Sequence, residues 1–207
     1  MIPAFAFVIG YFFGSIPTAY LIVRRRSGVD IRNVGSGNVG GYNAATVTGS
    51  TGTGVTVGLL DGLKGLLTSL GAWFMAPGDP VIQYAAVAGA IIGHNYPVWL
   101  RFKGGRGLAT AAGALFGIGV FYTAAWTLSW VALYRWTKDI LRSNLGATAI
   151  ALALTWVVPA AAVEFLLIRP QPAGPYTLFV TVLSVIIVVS HAEAFRTFSK
   201  SPETPTS

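Results

Sequence analysis

The chain has 207 residues, 54% hydrophobic and only 10% charged, with a mean hydropathy of +0.64, a balance that excludes a water-soluble globule of ordinary composition. With no cysteine and two histidines, disulfides and thiolate metal sites are excluded, and neither a metal nor any other cofactor is expected. The net charge of +7 does not imply a nucleic-acid partner, because the basic residues fall between apolar runs and not on one soluble face.

The first apolar run, Ile2 to Val23, has no charged segment before it and no small-residue cleavage site after it, so it reads as a helix of the mature protein. Further runs long enough to cross a hydrocarbon core of ~30 Å lie at Thr53 to Met75, Val81 to Leu100, Leu145 to Ile168 and Tyr176 to Phe195. Between them Gly107 to Tyr134 covers 28 residues, enough for one long tilted helix or for two short ones folded at Gly117-Ile118-Gly119.

Charge separates these alternatives. Two short helices give seven transmembrane helices with the N-terminus outside and the C-terminus cytoplasmic. Arg24, Arg25, Arg26, Arg32, Arg101, Lys103, Arg106, Arg135, Lys138, Arg142, Arg196 and Lys200 then all face the cytoplasm, twelve of the 14 basic residues. One long helix sends the segment RWTKDILR outside with its cations, against the positive-inside rule. The expected fold is therefore all-α and integral to the membrane, with seven short helices. Arg169 is expected outside and Lys64 within the second helix. Residues 1–198 read as a single membrane domain and 199–207 as a polar, disordered tail; no internal repeat is visible.

Three segments carry candidate chemistry. NVGSGNVGGYN, Asn33 to Asn43, places four glycines among seven consecutive residues, so backbone N–H groups can approach an anion closely, with Ser36, Asn38 and Asn43 interleaved. It also matches G-x-G-x-x-G at Gly35, Gly37 and Gly40, but no strand precedes it and Asp61 lies in a membrane-length run, so a dinucleotide site is rejected. A flexible connector remains the plain alternative. GHNYPVWLRFKGGRGLAT, Gly93 to Thr110, sets His94 before a cationic glycine loop that opens into a helix near Gly107. Lys103, Arg106, bare backbone at Gly104 and Gly105, and a helix N-terminus together suit phosphate. In LLDGLKG, Asp61 and Lys64 stand at i and i+3, which predicts a mutually neutralising pair facing the bundle interior.

These segments, with GSIPTAY at Gly14 to Tyr20, together resemble the bacterial acyl-phosphate:glycerol-3-phosphate acyltransferase family, membrane enzymes that make lysophosphatidate. The resemblance implies transfer of a fatty acyl group from acyl phosphate to the 1-hydroxyl of glycerol 3-phosphate, releasing phosphate, with no coenzyme A. It implies a multi-pass protein of the bacterial inner membrane whose active site lies at the cytoplasmic face. Its partners would be acyl phosphate, glycerol 3-phosphate, membrane lipid and the soluble enzyme that makes acyl phosphate.

On this resemblance His94, Ser36 and Asn43 are the candidate catalytic residues. Ser36, Gly37, Asn38, Gly40, Lys103, Gly104, Gly105 and Arg106 are the candidate substrate-binding residues. His94 would orient or deprotonate the hydroxyl; no carboxylate at helical spacing forms a His-x4-Asp pair, so a substrate phosphate is the other proton acceptor. The chain departs from the family pattern at Gly40-Gly41-Tyr42-Asn43, where G-A-T-N is usual, and at Thr46, where an arginine is expected. It departs again at His191-Ala192-Glu193-Ala194-Phe195, where the family reads His-Arg-x-Asn-Ile. A second reading therefore stays open: a degenerate paralogue that binds acyl phosphate or anionic lipid, or an acyltransferase with another acceptor.

Overall fold

The computed structural model describes residues 1–168 and 171–198, the last seven of these by backbone alone. The expectations for Arg169, Lys200 and the 199–207 tail, and for the side chains of Glu193 and Arg196, lie outside the described residues. Those described form ten α-helices and two short 3-10 turns without a β-strand; one isolated bridge joins Gly119 to Leu167.

Helices α1 (Ile2–Gly14) and α2 (Thr18–Ser27) make up one apolar stretch broken at Ser15-Ile16-Pro17. Pro17 lacks an N–H and disfavours helix at Ile16, so the single run expected over Ile2 to Val23 is kinked. After α2 comes α3 (Gly41–Thr48), a helix between the first two apolar runs, where the sequence reading placed none. Helix α4 (Thr51–Met75) starts where the Ser50 hydroxyl accepts the Thr53 N–H, and α5 (Pro80–Asn95) where Asp79 accepts the Val81 N–H. The run expected to reach Leu100 stops at Asn95 because Pro97 follows.

Gly107 to Tyr134 folds as two helices, α6 (Leu108–Phe116) and α7 (Val120–Thr137), separated at Gly117-Ile118-Gly119. Helix α8 (Ile140–Val157) is capped by Asp139, which accepts the Arg142 N–H. Pro159 divides the run expected over Leu145 to Ile168 into α8 and a short α9 (Ala160–Phe165), before α10 (Ala173–Phe198). Among the described residues, Ile2–Ser27, Thr51–Met75, Ile140–Val157 and Ala173–His191 are long and apolar enough to cross a membrane. Leu59, Phe74, Leu128 and Val157 stand exposed on their outer faces, as lipid contact requires.

Glycines fix how the helices pack. A Cβ at Gly10 or Gly14 would overlap the Ala86 or Ala90 carbonyl, and one at Gly89 or Gly93 would overlap that of Phe7 or Tyr11. The partner numbers rise together, so α1 and α5 run parallel at backbone contact. Gly113 against Gly62 and Gly117 against Leu66 and Ser69 show the same for α4 and α6. Antiparallel packing of α8 is marked by Trp130 donating to Asn144 (2.8 Å) and by Asn144 meeting His191 of α10 (3.3 Å). Behind these contacts Ile91, Leu115, Tyr122, Tyr176 and Leu183 join α5, α6, α7 and α10 in the main core. The result gathers the loops before α3, between α5 and α6, and between α7 and α8 at one end of the bundle. The turns between α4 and α5 and between α6 and α7 lie at the other.

Candidate active site

The glycine loop is built around Asn43, which is almost wholly buried. Its Oδ1 accepts the Ser36 N–H (3.0 Å), while Nδ2 donates to the carbonyls of Ile31, Val34 and Asn38 at 3.1 to 3.2 Å. Gly35 and Gly37 sit in the left-handed region with φ of 63° and 69°, where a Cβ is strained. Asn43 was a candidate catalytic residue, but its amide is committed to the loop's own backbone, so it holds Ser36 and Asn38 in place instead. Replacing Asn43 by alanine should lower stability by about 1–3 kcal/mol, the range for stranding buried polar groups. Thermal unfolding in detergent measures it, with activity falling in parallel.

The loop is tied to the second segment at two points. Val39 N–H donates to the Gly104 carbonyl (3.3 Å) and the Arg32 guanidinium to the Leu100 carbonyl (3.0 Å). Asp30 grips Arg32 from its other side, and that hydrogen bonding holds the Asp30 carboxyl below its ordinary value. Gly104 and Gly105 were expected to bare their N–H groups to a phosphate. Instead they donate to Asn95 (3.1 Å) and His94 (3.0 Å), completing the last carbonyls of α5. Their lack of a side chain serves another need: a Cβ on Gly105 would fall on the His94 Nε2.

His94 finds a carboxylate that its own helix does not supply. Asp61 on α4 brings Oδ1 to 3.7 Å from His94 Nδ1, and the same oxygen accepts the Thr18 hydroxyl and lies 2.9 Å from Lys64 Nζ. Lys64 also donates to the Ile16 carbonyl (3.1 Å), a group exposed by the break between α1 and α2. The pair read from sequence at i and i+3 is therefore part of a four-residue cluster reaching the histidine.

Beside this cluster opens a cavity of about 730 Å³. Ser36, Asn38, Gly40, Asp61, His94 and Arg106 line one side; Tyr134, Lys138, Asp139, Arg142 and Asn144 line the other. Two helix N-termini, those of α3 and α6, also reach it through Gly41, Tyr42, Leu108 and Ala109. Their N-caps are glycines, Gly40 and Gly107, with no side-chain oxygen on the first N–H groups, in contrast with α4, α5 and α8. Uncapped N–H groups with the helix dipole behind them are an anion site. Arg106 is half-buried, and that burial lowers the proton affinity of its guanidinium, a penalty an anion would offset. Lys103, expected beside Arg106 on phosphate, is exposed and lies off the lining, because the turn dives toward His94 only after it.

A family model described as glycerol-3-phosphate acyltransferase matches residues 4–200. The chain belongs to the glycerol-3-phosphate acyltransferase family. It is 35% identical over 201 residues to a glycerol-3-phosphate acyltransferase of Erythrobacter litoralis, covering 97% of this chain and 93% of that relative. With glycerol-3-phosphate acyltransferase 1 of Dehalococcoides mccartyi it shares 42% over 148 residues, 70% of each chain. A crystal structure of PlsY, an integral membrane glycerol 3-phosphate acyltransferase in its glycerol 3-phosphate form, superposes with a TM-score of 0.80 at 29% identity, covering 99% of this chain and 96% of PlsY. The lysophosphatidic acid form of PlsY gives 0.77 at 28%.

Within this acyltransferase, two of the three departures noted in the sequence, Thr46 and the motif at His191, occupy distinct places. Thr46 donates back to the Tyr42 carbonyl on the exposed side of α3 (3.1 Å). His191 is fully buried, its Nδ1 against the Ile187 carbonyl (2.8 Å) and its Nε2 against Asn144, so it braces α8 behind the lining. Sequence reasoning missed the α7–α8 side of the acyltransferase cavity altogether. The signal was present in RWTKDILRSN, whose cations read only as topology markers.

Proposed function

We propose that the protein moves a fatty acyl group from acyl phosphate to the 1-hydroxyl of glycerol 3-phosphate, giving lysophosphatidate and phosphate without coenzyme A. The observation that carries this reading is the cavity where two uncapped helix N-termini, Arg106 and His94 meet beneath the glycine loop. Two phosphorylated substrates repel each other; convergent N–H groups and a half-buried cation reduce that repulsion and hold the reacting atoms together. Ser36, Gly37, Asn38 and Gly40 contact phosphate and the oxyanion that develops as the hydroxyl adds to the carbonyl. Phosphate then leaves with the acyl–oxygen bond pair. His94 orients the hydroxyl or takes its proton, the departing phosphate being the other acceptor.

In this reading seven spans cross the membrane: α1 with α2, α4, α5, α6, α7, α8 and α10. The N-terminus is outside and the C-terminus cytoplasmic. Arg24, Arg25, Arg26, Arg101, Arg135, Lys138 and Arg142 lie toward the cavity end, which supports a cytoplasmic cavity in a bacterial inner membrane. The soluble enzyme that makes acyl phosphate is then within reach of it.

The test is purified protein with palmitoyl phosphate and glycerol 3-phosphate, following phosphate and lysophosphatidate. Binding of palmitoyl phosphate without turnover would favour the degenerate paralogue, to which Thr46 and the motif at His191 point. Arg106→Ala should lower kcat/KM by about 100-fold, as loss of a charged hydrogen bond worth ~1.5–3 kcal/mol predicts, while Lys103→Ala stays within about threefold. Equal losses in the two variants would remove Arg106 from the site.

A further inference from the structure

The charges on the cavity lining do not cancel. Asp61 pairs with Lys64 at 2.9 Å, and Asp139 with Arg142 at 3.5 Å. Among the described residues, the lining cations left without a carboxylate are Arg106 and Lys138. They stand on different elements, Arg106 ahead of α6 and Lys138 in the turn between α7 and α8.

The backbone at Lys138 is also unusual. Its φ is 54°, the left-handed conformation that closes a helix, and its N–H donates to the Tyr134 carbonyl (2.9 Å). Glycine fills the equivalent place after α2 and α3, at Gly28 and Gly49. A residue with a Cβ is strained there, and strain of this kind gathers at functional sites. A cation at a helix C-terminus complements the dipole, but Arg135 already occupies the last turn of α7. Lys138 thus stands where glycine would fold more easily, on the rim of a cavity whose other free cation is on the opposite side.

We propose that Lys138 is a second phosphate-binding residue of this cavity, taking the phosphoryl group of one substrate while Arg106 takes that of the other. The inference rests on the acyl-transfer reading above, which gives the cavity two phosphorylated guests.

The test is Lys138→Gly, a change that removes the cation and relieves the backbone, so failure to fold does not confuse the result. Binding of glycerol 3-phosphate and of palmitoyl phosphate is measured separately, beside KM for each and the thermal midpoint. Affinity for one of the two should fall about tenfold, as loss of one charge-assisted contact at a solvated rim predicts, with the thermal midpoint unchanged or raised and Lys138→Arg restoring binding. The substrate that shifts identifies the guest. No change in either, or an equal fall in both, overturns the assignment. Wild-type protein that binds both but turns over neither would sink the acyl-transfer reading and leave the Lys138 result readable by binding alone.

Discussion

Replacing Gly105 by alanine should remove most of the activity and leave the bundle folded. The added Cβ would fall on the His94 Nε2 and come within 2.6 Å of the Val39 carbonyl. The ring is held on its other edge by Asp61, so relief comes from turning the imidazole or from lifting the glycine loop off the second segment. Either movement displaces the groups meant to meet one substrate. A misplacement of about 1 Å in such a site reduces turnover by roughly 100-fold, and that loss in kcat/KM is the expected result. Overpacking at the rim should lower stability by no more than about 1–3 kcal/mol, so the thermal midpoint stays measurable. Near-normal turnover by Gly105→Ala would mean that the ring's position is irrelevant.

Asp61→Asn should be the most destabilising single change in the chain. Asp61 and Lys64 are both buried, and the substitution leaves the ammonium with neutral carbonyl oxygens and no counter-charge. Removing one partner of a buried ion pair typically destabilises by about 3–5 kcal/mol, enough to lose folded protein from the membrane. The double variant Asp61→Asn with Lys64→Met removes the stranded charge and should recover much of the loss, since residues in contact are not additive. Folded yield and unfolding midpoint in detergent report both effects. A double variant no better than Asp61→Asn would show that the lysine is not what makes the single change harmful.

The helices were legible because a spanning run must be apolar along its length, but their breaks at Pro17, Pro97 and Pro159 were not read, since hydropathy runs on through each proline. The fold at Gly117-Ile118-Gly119 was reached from charge, because two helices keep Arg135, Lys138 and Arg142 with the other cations. The neighbourhood of His94 was not legible. A search for a carboxylate at helical spacing looks only along α5, whereas Asp61 arrives from α4 through glycine-mediated packing that hydropathy does not encode. Glycines misled for a related reason. Gly104 and Gly105 looked like bare backbone for a ligand, but their positions are set by the end of α5 and the histidine ring. Lys103 and Lys138 are both exposed cations; only the direction of two turns puts one off the cavity and the other on its rim.

Asp61, on the lining, stands ten residues beyond Thr51, where α4 begins. At 1.5 Å per residue that is ~15 Å down the helix, close to the middle of a hydrocarbon slab. The chamber is therefore a shaft sunk from the aqueous side, and the two reactants reach it by different journeys. In the acyl-transfer reading proposed above, the water-soluble alcohol would descend this shaft to a donor whose hydrocarbon tail stays among the lipids.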